Sequence, residues 1–299
     1  MWLKIGCLSF GGPAGQIALL HREVVDDRNW ISNRRFLHAL NFCHLLPGPE
    51  AQQLAIYLGW LMHGSIGGFI AGGLFVIPGA IVLLALSLIY ASYGTVPIIA
   101  ALFFGLKSAV LVLVVEAVMR IGRRALEGRT AWSLAGLSFL ALFVFNVPFP
   151  IVVLAAALIG FTATGQFSGG THENAKDGGP ALLDAVMAAD SGRADRLARS
   201  ARVAGCISAV LWLVPVALLL PVGGVYADVA WFFSKMAVLT FGGAYAVLSY
   251  VAQDAVQGYH WLSAPEMLSG LGLAETTPGP LILVMQLSAF SPDTGHRVL

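Results

Sequence analysis

From Ala51 to Leu106 the chain carries no Asp, Glu, Lys or Arg, and from Thr130 to Thr171 it carries none again. Uncharged apolar runs of 18 or more residues read as membrane-spanning helices. Few folds in water could hide that much apolar side chain. Charged residues make up 11% of the chain and hydrophobic ones 58%, against about 25% charged in a soluble domain. The expected fold is all-α: a polytopic transmembrane helix bundle lying in a lipid bilayer.

The formal net charge is +1 and no basic stripe is present, so no nucleic-acid partner is expected. Cys7, Cys43 and Cys206 lie in apolar stretches without CxxC spacing and read as small core residues. The seven histidines show no HExxH pairing, and no GxSxG occurs. Neither a metal, a cofactor nor an enzyme activity is expected.

The chain matches itself at an offset of 231 residues. Lys4 falls on Lys235, and Phe10-Gly11-Gly12 on Phe241-Gly242-Gly243. Trp30 falls on Trp261, Ser32 on Ser263, and Pro47-Gly48-Pro49 on Pro278-Gly279-Pro280. The N-terminal MWLKIGCLSFGG resembles a signal peptide. Its recurrence as SKMAVLTFGG at 234–243 argues against a cleavable address. Internal repeats are common in transporters, frequently as inverted pairs.

The expected organisation is a first repeat at 1–165, a hydrophilic cytoplasmic linker at 166–202, and a connecting helix with an incomplete second repeat at 203–299. Apolar segments are expected at 3–20, 36–63, 65–93 with a kink at Pro78, 97–119, 131–146, 149–165, 203–221, 230–250 and 266–290. The second copy ends soon after its PGP, which reads as a C-terminal truncation or a half-length variant. Loops 21–35 and 120–130 carry four Arg each, and 166–202 carries one Lys and four Arg, so all three should be cytoplasmic. Loop 251–265, the equivalent of 21–35, has neither Lys nor Arg. That asymmetry suggests oppositely facing copies, provided the FGG and PGP segments are half-membrane hairpins.

Proline inside a helix costs ~3 kcal/mol or more. Broken backbone at membrane depth survives only in protein or beside a wet cavity. The half-helix after a break offers free N–H groups and a positive dipole end, which attract anions. Candidate anion-binding residues are therefore Gly11, Gly12, Pro47, Gly48, Pro49, Glu50, Gln52, Gln53, Gly242, Gly243, Thr276, Thr277, Pro278, Gly279 and Pro280. Against this stands the reading that Pro and Gly merely kink the helices for packing; two PGP motifs in register beside polar residues favour a site. Glu50 and Glu275 are candidate proton carriers, with helix capping the alternative for Glu50. Lys107, Glu116 and Arg120 share one apolar segment and are candidates for a charge relay, with snorkelling the alternative for Lys107. Lys4 and Lys235 either place positive charge near the anion or anchor the interface. Gly64-x-x-x-Gly68 and Gly68-x-x-x-Gly72 suit close helix packing.

The stretches KIGCLSFGGPAGQIALLHREVVDDRNWIS and LLPGPEAQQLAIYLGWLMHGSIGG, with FGGAYAVLSYVAQDAVQGYHWLS and LAETTPGPLILVMQ, resemble the chromate ion transporter family. The resemblance implies a multi-pass protein of the bacterial inner membrane that exports chromate on the proton gradient and confers chromate resistance. It also implies two homologous halves of opposite topology. The family's FGG and PGP motifs fall on Gly11, Gly12, Pro47, Gly48, Pro49, Gly242, Gly243, Pro278, Gly279 and Pro280. Lacking the rest of the second half, the chain is expected to pair with itself or with a partner chain. Sulfate or another oxyanion as substrate, or an uncoupled anion channel, are the alternatives.

Overall fold

The structure is a computed structural model. It describes residues 1–10, 12–93, 96–126, 128–145, 147, 149–162, 181–190, 192–239, 251, 254–259, 261, 263, 266–267, 270, 273–274, 277–280 and 283. Among these residues the only regular secondary structure is helical. The chain divides into two units, one of Met1–Leu106 with Ala175–Leu299 and one of Lys107–Asn174.

The larger unit opens with two short helices, α1 (Trp2–Leu8) and α2 (Gly12–His21), followed by a π-helical turn at Arg22–Asp26. Next come α3 (Asn33–His44) and α4 (Glu50–Tyr93). Within α4 the dihedrals leave the helical region at His63 and at Gly64, whose φ is +67°. Glycine tolerates that value; other residues are strained there. A Cβ on Gly59 would lie 2.5 Å from the Gly67 carbonyl oxygen, and one on Gly72 2.5 Å from the Ile56 side chain. These contacts fold residues 50–62 back, antiparallel, onto the arm that starts at 65. The expected kink at Pro78 is not the break: Pro78 lies inside the helix and the chain reverses at His63–Gly64. The small-residue run packs as expected from its spacing, but within its own hairpin.

The core of this unit gathers Ile5, Leu20, Val24, Ile31, Phe36, Leu54, Leu58 and Phe75, all nearly or fully buried. Helix α1 lies so close to the long arm of α4 that a Cβ on Gly6 would collide with the Leu74 carbonyl oxygen. Glycine is what permits that approach.

Helix α5 (Pro97–Ala125) begins with proline in the first turn, where its missing N–H costs nothing. The smaller unit holds its later part with α6 (Arg129–Phe143) and α7 (Phe149–Thr162). Phe139 and Phe143 stack at 5.5 Å, and Leu137, Leu154 and Leu158 are exposed.

Inside the expected linker, α8 (Leu182–Ala189) packs within the larger unit. Its Leu182 and Leu183 N–H groups donate to the Asn29 and Trp30 carbonyls at 3.1 and 2.9 Å, and Leu183 enters the core. Helix α9 (Arg193–Leu219) starts ten residues before the expected span at 203. Its opening, RADRLARSAR, is too polar for a hydropathy reading, yet Asp195 suits a first turn and Leu197 is buried. Arg193 donates to the Leu61 and Met62 carbonyls at 3.1 and 2.6 Å, capping the short arm of α4. The Ser65 and Ser200 hydroxyls meet at 2.5 Å. Further along, Ile207, Val210, Leu211, Leu213, Val214 and Leu218 are all exposed. A soluble surface rarely shows so continuous an apolar face. By length and composition, 50–89 and 193–219 are the described helical stretches able to cross a membrane.

The last long described helix is α10 (Val225–Leu239). It ends 231 residues after α1 ends, and the chain beyond it repeats local structure in register. The Trp30 N–H donates to the Val24 carbonyl and the Trp261 N–H to the Ala255 carbonyl, both at 2.9 Å. Phe36 bonds back to Ser32, as Met267 does to Ser263. A second π-helical turn occupies Asp254–Gly258. Arg28 lies over the Trp30 ring, and at the equivalent pair Tyr259 stacks on Trp261. Buried positions recur too: Ile5 and Met236, Leu20 and Val251, Val24 and Ala255, Cys43 and Ala274.

Candidate functional site

The first interruption runs from Leu45 to Pro49, between the end of α3 and the start of α4. Gly48 adopts φ +124°, open only to glycine without strain. The Gln53 side chain turns back so that its Nε2 donates to the Pro47 carbonyl at 2.5 Å. Glu50 opens α4, where a carboxylate suits the helix N-terminus. Its Oε1 stands 3.1 Å from Nδ1 of His44, across the interruption. Gln52 and Gln53 border a cavity of about 790 Å³ between α3, the two arms of α4 and α9. Phe42, Ile56, Tyr57 and Trp60 make its walls mostly apolar.

The second interruption is described at Thr277–Pro280, where Gly279 adopts φ +101°. Thr277 is buried and its hydroxyl donates to the Ala274 carbonyl at 3.3 Å. The Gly279 N–H donates to the Ser9 carbonyl at 3.1 Å, so the second PGP motif meets the residue just before the first copy's Phe-Gly-Gly. Gln16 completes the junction. Its Nε2 donates to the Gly279 carbonyl at 2.7 Å and to the Ser9 carbonyl at 3.2 Å. Ser9 and Gln16 are both almost fully buried. A Cβ on Gly79 of α4 would collide with the Pro278 carbonyl oxygen, so backbone touches backbone there.

Gly12, with φ +69°, starts α2 beside this junction. Gly11, Gly242, Gly243, Glu275 and Thr276 lie outside the described residues, as do the side chains of Lys107 and Arg120. The exposed Glu116 lies on α5 with Lys107 and Arg120.

Two lysines are ion-paired. Lys4 Nζ lies 2.5 Å from Oε1 of the buried Glu23, which also pairs with Arg28. The hydrogen bond from Lys4 holds the Glu23 carboxyl below its usual range; burial opposes this and Arg28 adds to it. Lys235 pairs with Asp254 at 2.8 Å, 231 residues on in both members. Anion attraction and interfacial anchoring, the two roles expected for these lysines, both overlook the carboxylates nineteen residues further along. The acids at 23 and 254 sit in register with the lysines, a signal present in the sequence. Nothing in the sequence marks Ser9, Gln16 and Gly79; only folding brings them to Gly279.

Comparison with known proteins identifies the family. The chromate transporter family profile matches residues 1–161 and 227–291. The chromate transport protein of Pseudomonas aeruginosa is 35% identical over 94% of this chain and 63% of its own length. That of Cupriavidus metallidurans is 26% identical over 95% of this chain and 64% of its own. The chain thus spans less than two thirds of either relative. The uncharacterized transporter YwrA of Bacillus subtilis is 29% identical over 51% of this chain and 88% of its own length. No solved structure gives a significant match. With a profile that covers residues 1–161 and 227–291, this chain belongs to the chromate transporter family.

Proposed function

We propose that the protein carries chromate, a tetrahedral dianion, outward across the bacterial inner membrane, as a multi-pass antiporter driven by the proton gradient. The observation that carries the reading is the backbone bond from Gly279 to Ser9, which joins interruptions of the two copies. Backbone amides at such interruptions lie outside the helical ladder, so an anion can take them over when the junction opens. The names of the Pseudomonas and Cupriavidus relatives supply the choice of anion.

In this mechanism the anion is held at Gly11, Gly12, Pro47, Gly48, Pro49, Gln52, Gln53, Gly242, Gly243, Thr276, Thr277, Pro278, Gly279 and Pro280. The copies 1–165 and 203–299 are inverted, joined by the cytoplasmic segment 166–202, and rock to open the site to either face. Helix lengths favour half-membrane hairpins: α3 and the short arm of α4 reach about 20 Å each at 1.5 Å per residue, against ~30 Å of hydrocarbon. Glu50, beside His44, and Glu275 take up the returning proton, with Lys107, Glu116 and Arg120 as a relay.

Uptake of labelled chromate into inverted vesicles tests the reading, with sulfate and molybdate as competitors. Expected is saturable uptake that collapses when the pH gradient is dissipated. Flux that follows the electrical gradient alone would replace the antiporter by an anion channel. No flux of any oxyanion would overturn the proposal.

A further inference from the structure

Three hydrogen-bond donors converge between the two copies: both N–H bonds of the Gln16 carboxamide and the N–H of Gly279. All three are spent on two carbonyl oxygens, those of Ser9 and Gly279. Because both partners can only accept, the NH₂ end of Gln16 must be the one that faces them. The junction is closed, with Ser9 1%, Gln16 3% and Thr277 4% exposed. Gly79 presses on Pro278 from the other side. The amide of Gly279 is therefore not waiting for an anion; it is already engaged.

We propose that Gln16 is a substrate-exchanged latch between the copies. It keeps the Ser9–Gly279 junction shut when no oxyanion is present, and it gives up its carbonyl partners to the oxyanion on entry. Rested on the oxyanion reading above, this names a binding residue outside the motifs that the repeat makes visible. The chemistry favours the exchange. A hydrogen bond to a full negative charge is roughly twice as strong as one to a neutral carbonyl. A dianion offers several such acceptors at once, so the donors that hold the junction closed hold the substrate when it opens. A monoanion such as chloride offers too little charge and too few acceptors to compete. The residue 231 positions after Gln16 is Val247, whose side chain has no hydrogen-bond donor.

Thiol accessibility tests this. In the full chain, Cys7→Ser, Cys43→Ala and Cys206→Ser remove the native thiols, two of them exposed. Ser9→Cys then reports opening through its rate of modification by a charged thiol reagent in proteoliposomes. Without anion the rate should be slow. Chromate or sulfate should raise it by about tenfold, the scale set by one exchanged hydrogen-bond set, and chloride should not. Gln16→Leu should give the fast rate without any anion and no further response. Thr277→Cys is the second reporter should Ser9→Cys fail to insert. A reporter equally protected in Gln16→Leu, or indifferent to chromate in the parent, overturns the latch. Anion-dependent labelling without chromate flux would keep the latch and overturn the transport reading; flux with uniform protection would do the reverse.

Discussion

Lys235 Nζ lies 2.8 Å from the Asp254 carboxylate, and the residues 231 positions earlier, Lys4 and Glu23, form the same pair at 2.5 Å. Each ties the helix before an FGG element to the π-helical turn that comes after it. Glu23 is the more buried of the two acids and has a second cation, Arg28.

Glu23 therefore makes stability depend on pH. Its carboxyl titrates below the ordinary value of 4.5 because Lys4, and then Arg28, favour the charged form. A lowered value in the folded protein means the stabilisation is present above about 4.5 and lost as pH falls through the lowered value. Thermal unfolding in detergent should show a falling Tm in that acid range. Glu23→Gln should flatten the dependence and cost about 1–3 kcal/mol at neutral pH, the scale of a charged hydrogen bond.

Gly48 and Gly279 hold φ values of +124° and +101° at equivalent positions. Valine at either site is strained by ~1–3 kcal/mol. At Gly48 its Cβ would also meet Nε2 of Gln53 at 2.6 Å. Gly48→Val and Gly279→Val should both insert into the membrane yet lose chromate flux, as read by membrane fractionation and vesicle uptake.

Gly79→Ala drives a methyl into the Pro278 carbonyl oxygen, and backbone on both sides leaves no flexible atom to move. Overpacking of this kind costs about 1–3 kcal/mol. The expected result is a lower Tm together with reduced flux, since the displaced partner is the second interruption itself.

Arg193→Met should uncap the Leu61 and Met62 carbonyls at the end of the short arm of α4. Leaving buried carbonyls unpaired costs about 1–3 kcal/mol. Arg193→Lys should recover only part, because an ammonium lacks the planar fork. Thermal unfolding of the three proteins side by side checks the order.

Much of this fold is legible in the sequence because a duplication writes each local device twice. The FGG and PGP motifs stand in register, and so do the lysines and their acids, although Glu23 looks from sequence like an ordinary loop residue. The reversal at His63–Gly64 is less accessible. Glycines spaced by four suit packing against any helix, and nothing in the spacing says that the partner is eight residues away. The start of α9 is hidden because an arginine-rich amphipathic turn carries no hydropathy signal, whereas α8 looks like linker because its few apolar residues gain meaning only when docked on Asn29 and Trp30. Gln16 is the least accessible of all. Its partner lies 263 residues away and its equivalent is valine, so neither spacing nor repetition marks it.

That single unmatched amide has a bearing on ancestry and on engineering. The two copies differ at this position, Gln16 in the first and Val247 in the second. A chimera built from two first halves would carry two such fasteners, a tandem of second halves none. Neither should behave like the natural arrangement, in which a carboxamide at position 16 has a valine, Val247, as its repeat equivalent.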